Sequence, residues 1–310
     1  MRCLKKYKAI LAVLLLLLTS LLAISGSMSI IQTVETFFEL HSHEHSHENG
    51  NISHHHSFDF KMPEVTSISQ PVNKNLMEYK EAWKNLEKRA DGHLSGEGYT
   101  HVGHPNESEI INDMGPNNTP ENLWKANSNF VQTFLKKPEG DNRTGPDGGW
   151  TYTIDDVTHE SGYLSIVYFK IPNENKKNGR FYHGPRIYGQ TLKTDGTPIK
   201  YEYFASGKPL SKFNIDEWYV SIGTILPYKE GGYLPVPETI GGIYNLSTGE
   251  KIMTNKNFMM KPGITKQNHR TFQFYSNDSN SEILFARPGF YKMDGSEPTL
   301  EDILNLQNID

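Results

Sequence analysis

Ten apolar residues in a row, positions 9–18, follow a flank in which Arg2, Lys5, Lys6 and Lys8 have no acidic counterpart. Basic residues stay cytoplasmic while an apolar run enters the bilayer, so the pattern predicts export of everything beyond it. No charge occurs between Lys8 and Glu35. A helix through that gap would extend roughly 39 Å, enough for a single-pass anchor with its N-terminus in the cytoplasm. Ala23-Ile24-Ser25 also offers the small residues of a signal-peptidase site, so residues 1–31 read as a signal-anchor or as a cleaved signal peptide. The product is then a cell-membrane protein with its bulk extracytoplasmic, or a secreted or periplasmic one.

The pattern changes abruptly over residues 32–74. Seven of the 13 histidines fall between positions 41 and 56, Pro63 and Pro71 follow, and apolar periodicity is almost absent. Such a segment cannot bury enough surface to offset the entropy of ordering, which predicts a disordered, His-rich flexible tether.

Helical spacing returns at residues 75–89, where Leu76, Tyr79, Trp83 and Leu86 form a stripe and Asn75 with Glu78 resembles a capping box. A second helix is expected over 119–135, with Pro120 at its first position and Leu123, Trp124, Phe130, Val131, Phe134 and Leu135 on its apolar side. The stretch 92–118, rich in Gly, His, Asn and Pro, reads as loop. From Gly148 onward, β-branched and aromatic residues alternate with polar ones in short runs, giving strands over 150–154, 163–171, 187–193, 199–204, 218–225, 242–245, 250–253, 271–275 and 283–286. The first two are expected to pair as a hairpin, and 187–193 with 199–204 as another around the tight turn at Asp195-Gly196. A short helix over 296–306 closes the chain. Residues 75–310 therefore predict a single extracytoplasmic domain of α+β class, dominated by antiparallel β-sheet and opened by N-terminal helices, behind the transmembrane or signal helix and the tether.

Cysteine usage sharpens this picture. Cys3 is the only cysteine and precedes the apolar run, so the exported part has no disulfide and must hold together by burial. The Asn-x-Ser/Thr sites at Asn51, Asn106, Asn117, Asn142, Asn245 and Asn277 are no more than an Asn-rich chain produces by chance. With no cysteine exported, a bacterial envelope is the better setting. The formal charge is −5, and −9 once the four N-terminal basic residues are set aside. A mildly acidic domain has no electrostatic footprint for nucleic acid, which is excluded as a partner.

Candidate chemistry is concentrated in histidine. His41, His43, His45, His47, His54, His55 and His56 can chelate zinc or another divalent transition metal loosely, with Glu44 and Glu48 adding oxygen ligands. An extended chain without supporting hydrogen bonds makes such a site exchangeable and empties it as the imidazoles protonate. His93, His101 and His104, with Glu97 among them, are the weaker candidates for an open metal site that activates water. Asp155, Asp156, His159 and Glu160 share one expected loop, where turn chemistry accounts for them equally well. No nucleophile elbow, zinc-protease motif or phosphate-binding glycine loop is present, and no other cofactor is implied. The sheet region is rich in Trp150, Tyr152, Tyr163, Tyr168, Tyr182, Tyr188, Tyr201, Tyr203, Trp218 and Tyr219, residues that serve cores and interfaces alike.

These features predict a membrane-tethered or secreted binding module of the cell envelope rather than an enzyme. Its N-terminal helix meets the membrane, and its β-rich face meets another envelope protein or a glycan. The competing readings are a metal-dependent extracytoplasmic hydrolase, which needs His93, His101 or His104 to converge with an acid, and a protein that captures divalent metal.

Overall fold

Alternation of apolar and polar positions becomes strand almost everywhere it occurs. The computed structural model describes residues 74–103, 106–127, 148–172, 179–185, 189–274, 281–307 and 309, all within the compact unit Ser67–Asp310. The expected membrane or signal helix at 1–31 and the tether, up to residue 73, lie outside the described residues. No described helix is long and apolar enough to cross a membrane.

Two sheets make up the fold. In the first, β1 (Glu87–Lys88), β2 (Leu94–Gly96), β3 (Tyr99–His101), β6 (Gly148–Ile154), β15 (Gln267–Phe274), β8 (Arg180–Gly184) and β10 (Ala205–Pro209) lie side by side in that order. The second runs β13 (Lys251–Thr254), β12 (Gly242–Asn245), β11 (Trp218–Leu226), β7 (Gly162–Lys170), β16 (Glu282–Met293), β5 (Pro120–Asn127), β4 (Ser108–Met114). There β14 (Asn257–Met260) joins β11 in parallel and carries β9 (Thr191–Lys193) beside it. All other pairings are antiparallel, so the β-dominated, antiparallel character expected from the sequence is what the chain adopts.

The sheets face each other across an aromatic core. Phe169 of β7 stacks on Phe181 of β8 with ring centroids 4.3 Å apart, and Trp150 of β6 meets Trp124 of β5 at 5.1 Å and Phe285 of β16 at 5.2 Å. Strand β7 is buried on both faces, because its outward residues Leu164, Ile166 and Tyr168 are covered by the C-terminal segment. That segment holds helix α2 (Leu300–Leu304), whose Ile303 carbonyl accepts a hydrogen bond from the Tyr168 hydroxyl at 2.7 Å. Thr299 and Asp302 form the capping box that starts α2.

Several sequence expectations are corrected. The helix expected over 75–89 is limited to α1 (Tyr79–Lys84), because Asn75 does not cap it. Its Oδ1 accepts instead from the Met77 and Phe290 N–H groups, each at 3.0 Å, and its Nδ2 donates to the Pro288 carbonyl at 3.2 Å, which stitches the incoming chain to β16. Residues 120–127 of the helix expected over 119–135 are β5, with the remainder from 128 outside the described residues. Leu123 and Trp124 are consecutive and both fully buried, one in the outer cluster and the other between the sheets. A strand in a sheet covered on both sides gives that pattern as readily as a helical stripe. Finally, β6 and β7 are not a hairpin: residues 155–161 carry the chain from one sheet to the other. The stretch 92–118 contributes β2, β3 and β4 rather than loop alone, and the strand expected over 199–204 does not form: β9 pairs with β14 and meets the other side of the Asp195-Gly196 turn only at the Leu192–Pro198 bridge.

Candidate functional site

The histidines at 41–56 and His104 lie outside the described residues. His93 and His101 do come together, their rings edge to face at 4.8 Å. Strand β3 places His101 inward, where its Nδ1 accepts from the Leu94 N–H at 3.3 Å and its ring lies 6.4 Å from that of Trp124. His93 lies between the Asp91 carboxylate, 3.3 Å from Nδ1, and the Gly103 carbonyl, 3.4 Å from Nε2. Glu97 turns away to accept from Asn85. Among the described residues, no three His, Cys, Asp or Glu side chains are grouped so as to hold a metal ion.

A polar constellation that the sequence did not announce bridges the two sheets. His183 of β8 bonds Ser165 of β7 through Nε2 at 2.9 Å and Ser221 of β11 through Nδ1 at 3.0 Å. Asn255 donates to the same Ser221 hydroxyl and to the Ile222 and Gly242 carbonyls, tying β11 to β12. Beside it, His269 of β15 donates from Nε2 to the Ile166 carbonyl at 3.0 Å. It does so where the β7–β16 register shifts between Ala286 and Gly289, and Pro288 has no N–H to offer there. Burial, and then the neighbouring imidazole of His269, hold His183 well below the usual histidine range, and burial lowers His269 to about 4. Both are neutral at pH 7. A serine against an imidazole is nucleophile chemistry in an open cleft, but His183, Ser165 and Ser221 are all buried between the sheets. The arrangement is a hydrogen-bonded strut. Only the tertiary fold brings these residues together, since they stand in separate strands with no motif spacing.

The aromatic residues divide between core and surface, with most inside. Trp150, Tyr163, Tyr168 and Tyr219 are buried. Tyr182 and Tyr203 belong to a cluster on the outer side of the first sheet, with Tyr182 stacked on Phe272 at 4.9 Å. Tyr201 is 52 % exposed. Tyr188 lies outside the described residues.

The surface is most distinctive in the segment 227–241, which joins β11 to β12 with no regular structure. It is long for a connection and tied down on both sides of residues 234–238. Tyr228 N–H donates to the His159 carbonyl at 2.6 Å, and Tyr233 N–H to the Thr194 carbonyl at 2.7 Å. The Tyr233 hydroxyl donates to the Pro227 carbonyl at 3.0 Å, closing the loop on its own base. Thr239 donates to Asn257 Oδ1 at 2.9 Å. Gly232, at φ +74°, passes so close to Asp195 that a Cβ there would meet its carbonyl carbon at 2.4 Å. Thus the Asp195-Gly196 turn and the loop holding His159, both legible in the sequence, serve as buttresses. Asp155 pairs with Lys266 at 2.6 Å, completing this end of the molecule. On this frame Leu234 is 80 % and Val236 44 % exposed.

No family model matches the sequence, and no curated protein matches it. Solved structures give faint likenesses. A putative sugar binding protein from Bacteroides thetaiotaomicron has 10% identity and a TM-score of 0.34, over 71% of this chain and 100% of that one. An arabinose-bound α-L-arabinofuranosidase has 11% identity and a TM-score of 0.32, over 76% of this chain and 28% of that one. A botulinum neurotoxin type G receptor binding domain has 14% identity and a TM-score of 0.31, over 71% and 49%. The chain thus spans about a quarter and about half the length of the last two. Likenesses this faint carry no functional argument.

Proposed function

We propose that this protein is a binding module that docks a partner protein through the 227–241 loop. The observation that carries the reading is Leu234, an aliphatic side chain held four-fifths in solvent at the tip of a loop fixed at several points. Pro235 and Pro237 on either side of Val236 restrict the backbone further. Long ordered loops that display apolar side chains on a rigid frame are where binding surfaces concentrate. Burying Leu234 and Val236 against a partner would contribute about 1.5–3 kcal/mol for each side chain. Because the loop is fixed beforehand, little of that is lost to ordering. Lys229, Glu230 and Glu238 supply a polar rim. The pattern of residues 1–31 supports display outside the cytoplasm, on a membrane anchor or after release, and the histidines of the tether support loose, exchangeable binding of zinc or a similar ion.

The test is a photoreactive amino acid introduced at position 234 of the full chain in its native cell. A discrete cross-linked protein adduct, lost when Val236→Asp is added and not formed from the exposed position Lys261, is the expected result. Equal adduct patterns from both positions would remove the basis of the proposal.

A further inference from the structure

Helix α1 and the inner face of the β4–β5 hairpin line a cleft of about 270 Å³. Its polar lining is of an unusual kind. Two lysines, Lys80 and Lys84, and two glutamates, Glu81 and Glu121, cancel in charge. Both acids are already engaged, Glu81 by Lys84 and Glu121 by Arg287 at 2.9 Å. Beside these charged groups stands a pair of amides. Asn112 and Asn122 stand directly opposite each other in the β4–β5 register, on the strand face that also carries Ile110 and Trp124. Neighbours across such a pair have Cβ atoms about 5 Å apart. Neither amide makes a hydrogen bond among the described residues, although both line the cleft. Pro120 and Tyr79 add apolar lining beside them.

Two adjacent amides offer four N–H donors and two carbonyl acceptors with no charge. Neighbouring hydroxyl groups, each a donor and an acceptor, satisfy such a pair. A phosphate or carboxylate would leave the amide oxygens unmatched, and an ammonium the N–H groups. The apolar lining suits the C–H face of a ring, and the volume suits one ring rather than a large cofactor. We propose that this cleft binds a neutral saccharide ring, with Asn112 and Asn122 bonded to adjacent hydroxyls and the ring's apolar face toward Pro120 and Tyr79. The site is separate from the 227–241 loop and does not depend on it.

Saturation-transfer NMR and calorimetry of the full chain with glucose, galactose, mannose, arabinose and N-acetylglucosamine test this. At least one sugar should bind saturably, with a dissociation constant on the order of 1 mM, as befits a small ligand held by a few hydrogen bonds. Asn112→Ala and Asn122→Ala should each weaken it about tenfold, the loss of one such bond with its partner left unpaired. Both positions are on the surface, so the variants should melt with the wild type. Leu234→Ser should bind the sugar unchanged. No saturable binding of any of the five sugars, or binding that both amide variants retain, would overturn the proposal.

Discussion

His269 and His183 are kept neutral by the same burial that holds the two sheets together. His269 has a pKa of about 4 in the folded chain against 6.5 when unperturbed. Between those values the unfolded chain binds more protons, so stability that is complete above pH 6.5 is lost as pH falls toward 4. His269 alone accounts for about 3 kcal/mol over that window, at roughly 1.4 kcal/mol per pKa unit. His183, displaced the same way, adds to it. Protonated His183 would also be a donor at both nitrogens, so the one serine hydroxyl that gives its proton to the neutral ring would lose that acceptor. Urea unfolding at pH 7 and at pH 4.5 should show a clear loss for the wild type. His269→Gln, less stable at pH 7, should show a smaller loss. Parallel pH profiles for the two would mean that this imidazole is not the source of the acid sensitivity.

At the scale of elements, the controlling contact is Asn75. Its side chain bonds backbone groups of Met77, Pro288 and Phe290, and the Leu76 N–H adds a bond to the Phe290 carbonyl at 2.9 Å. The segment therefore enters beside the irregular stretch of β16 as a short extra edge, and the helix must wait until Tyr79. Asn75→Ala should cost about 2–3 kcal/mol in unfolding free energy, because buried N–H and C=O groups lose their partners. Glu78→Ala, a residue with no cap bond in this fold, should cost little. Comparable losses for the two would restore the capping-box reading of the sequence. Asn75 and Glu78 do fit that motif by residue type and spacing, which is why the sequence pointed there. The competing partner is 215 residues away along the chain. The strands were legible for the opposite reason: β6, β7, β11, β12 and β13 announce themselves through local alternation and turn residues, with no distant partner needed.

Across the whole molecule, the second sheet is the middle layer. Leu164, Ile166, Tyr168, Val220, Ile222 and Tyr291 on its outer face are covered by α2 and the residues after it, and Tyr291 donates from its hydroxyl to the Ile309 carbonyl at 2.7 Å. Removing residues 299–310 should uncover this face. The expected outcome is a lower melting temperature with increased binding of a hydrophobic dye or self-association, read by fluorescence and light scattering. A truncated chain that melts like the wild type and stays monomeric would mean the segment is not part of the core.

The sequence by itself determined the strand-rich character of residues 148–293, the Asp195-Gly196 turn, the helix capped by Thr299 and the need to fold by burial without disulfides. Each is a local property, set by side-chain alternation, backbone preference or composition. The tertiary structure alone decided the rest. It made Leu123-Trp124 a doubly buried strand rather than a helical stripe, because a helix period and a two-sided strand look alike in a short apolar run. It joined His183 to two serines of the opposite sheet, placed the amides of Asn112 and Asn122 in one cleft, and left Leu234 in solvent beside the half-buried rings of Tyr228 and Tyr233. Those outcomes depend on which surfaces meet, and a chain read one neighbourhood at a time does not contain that information.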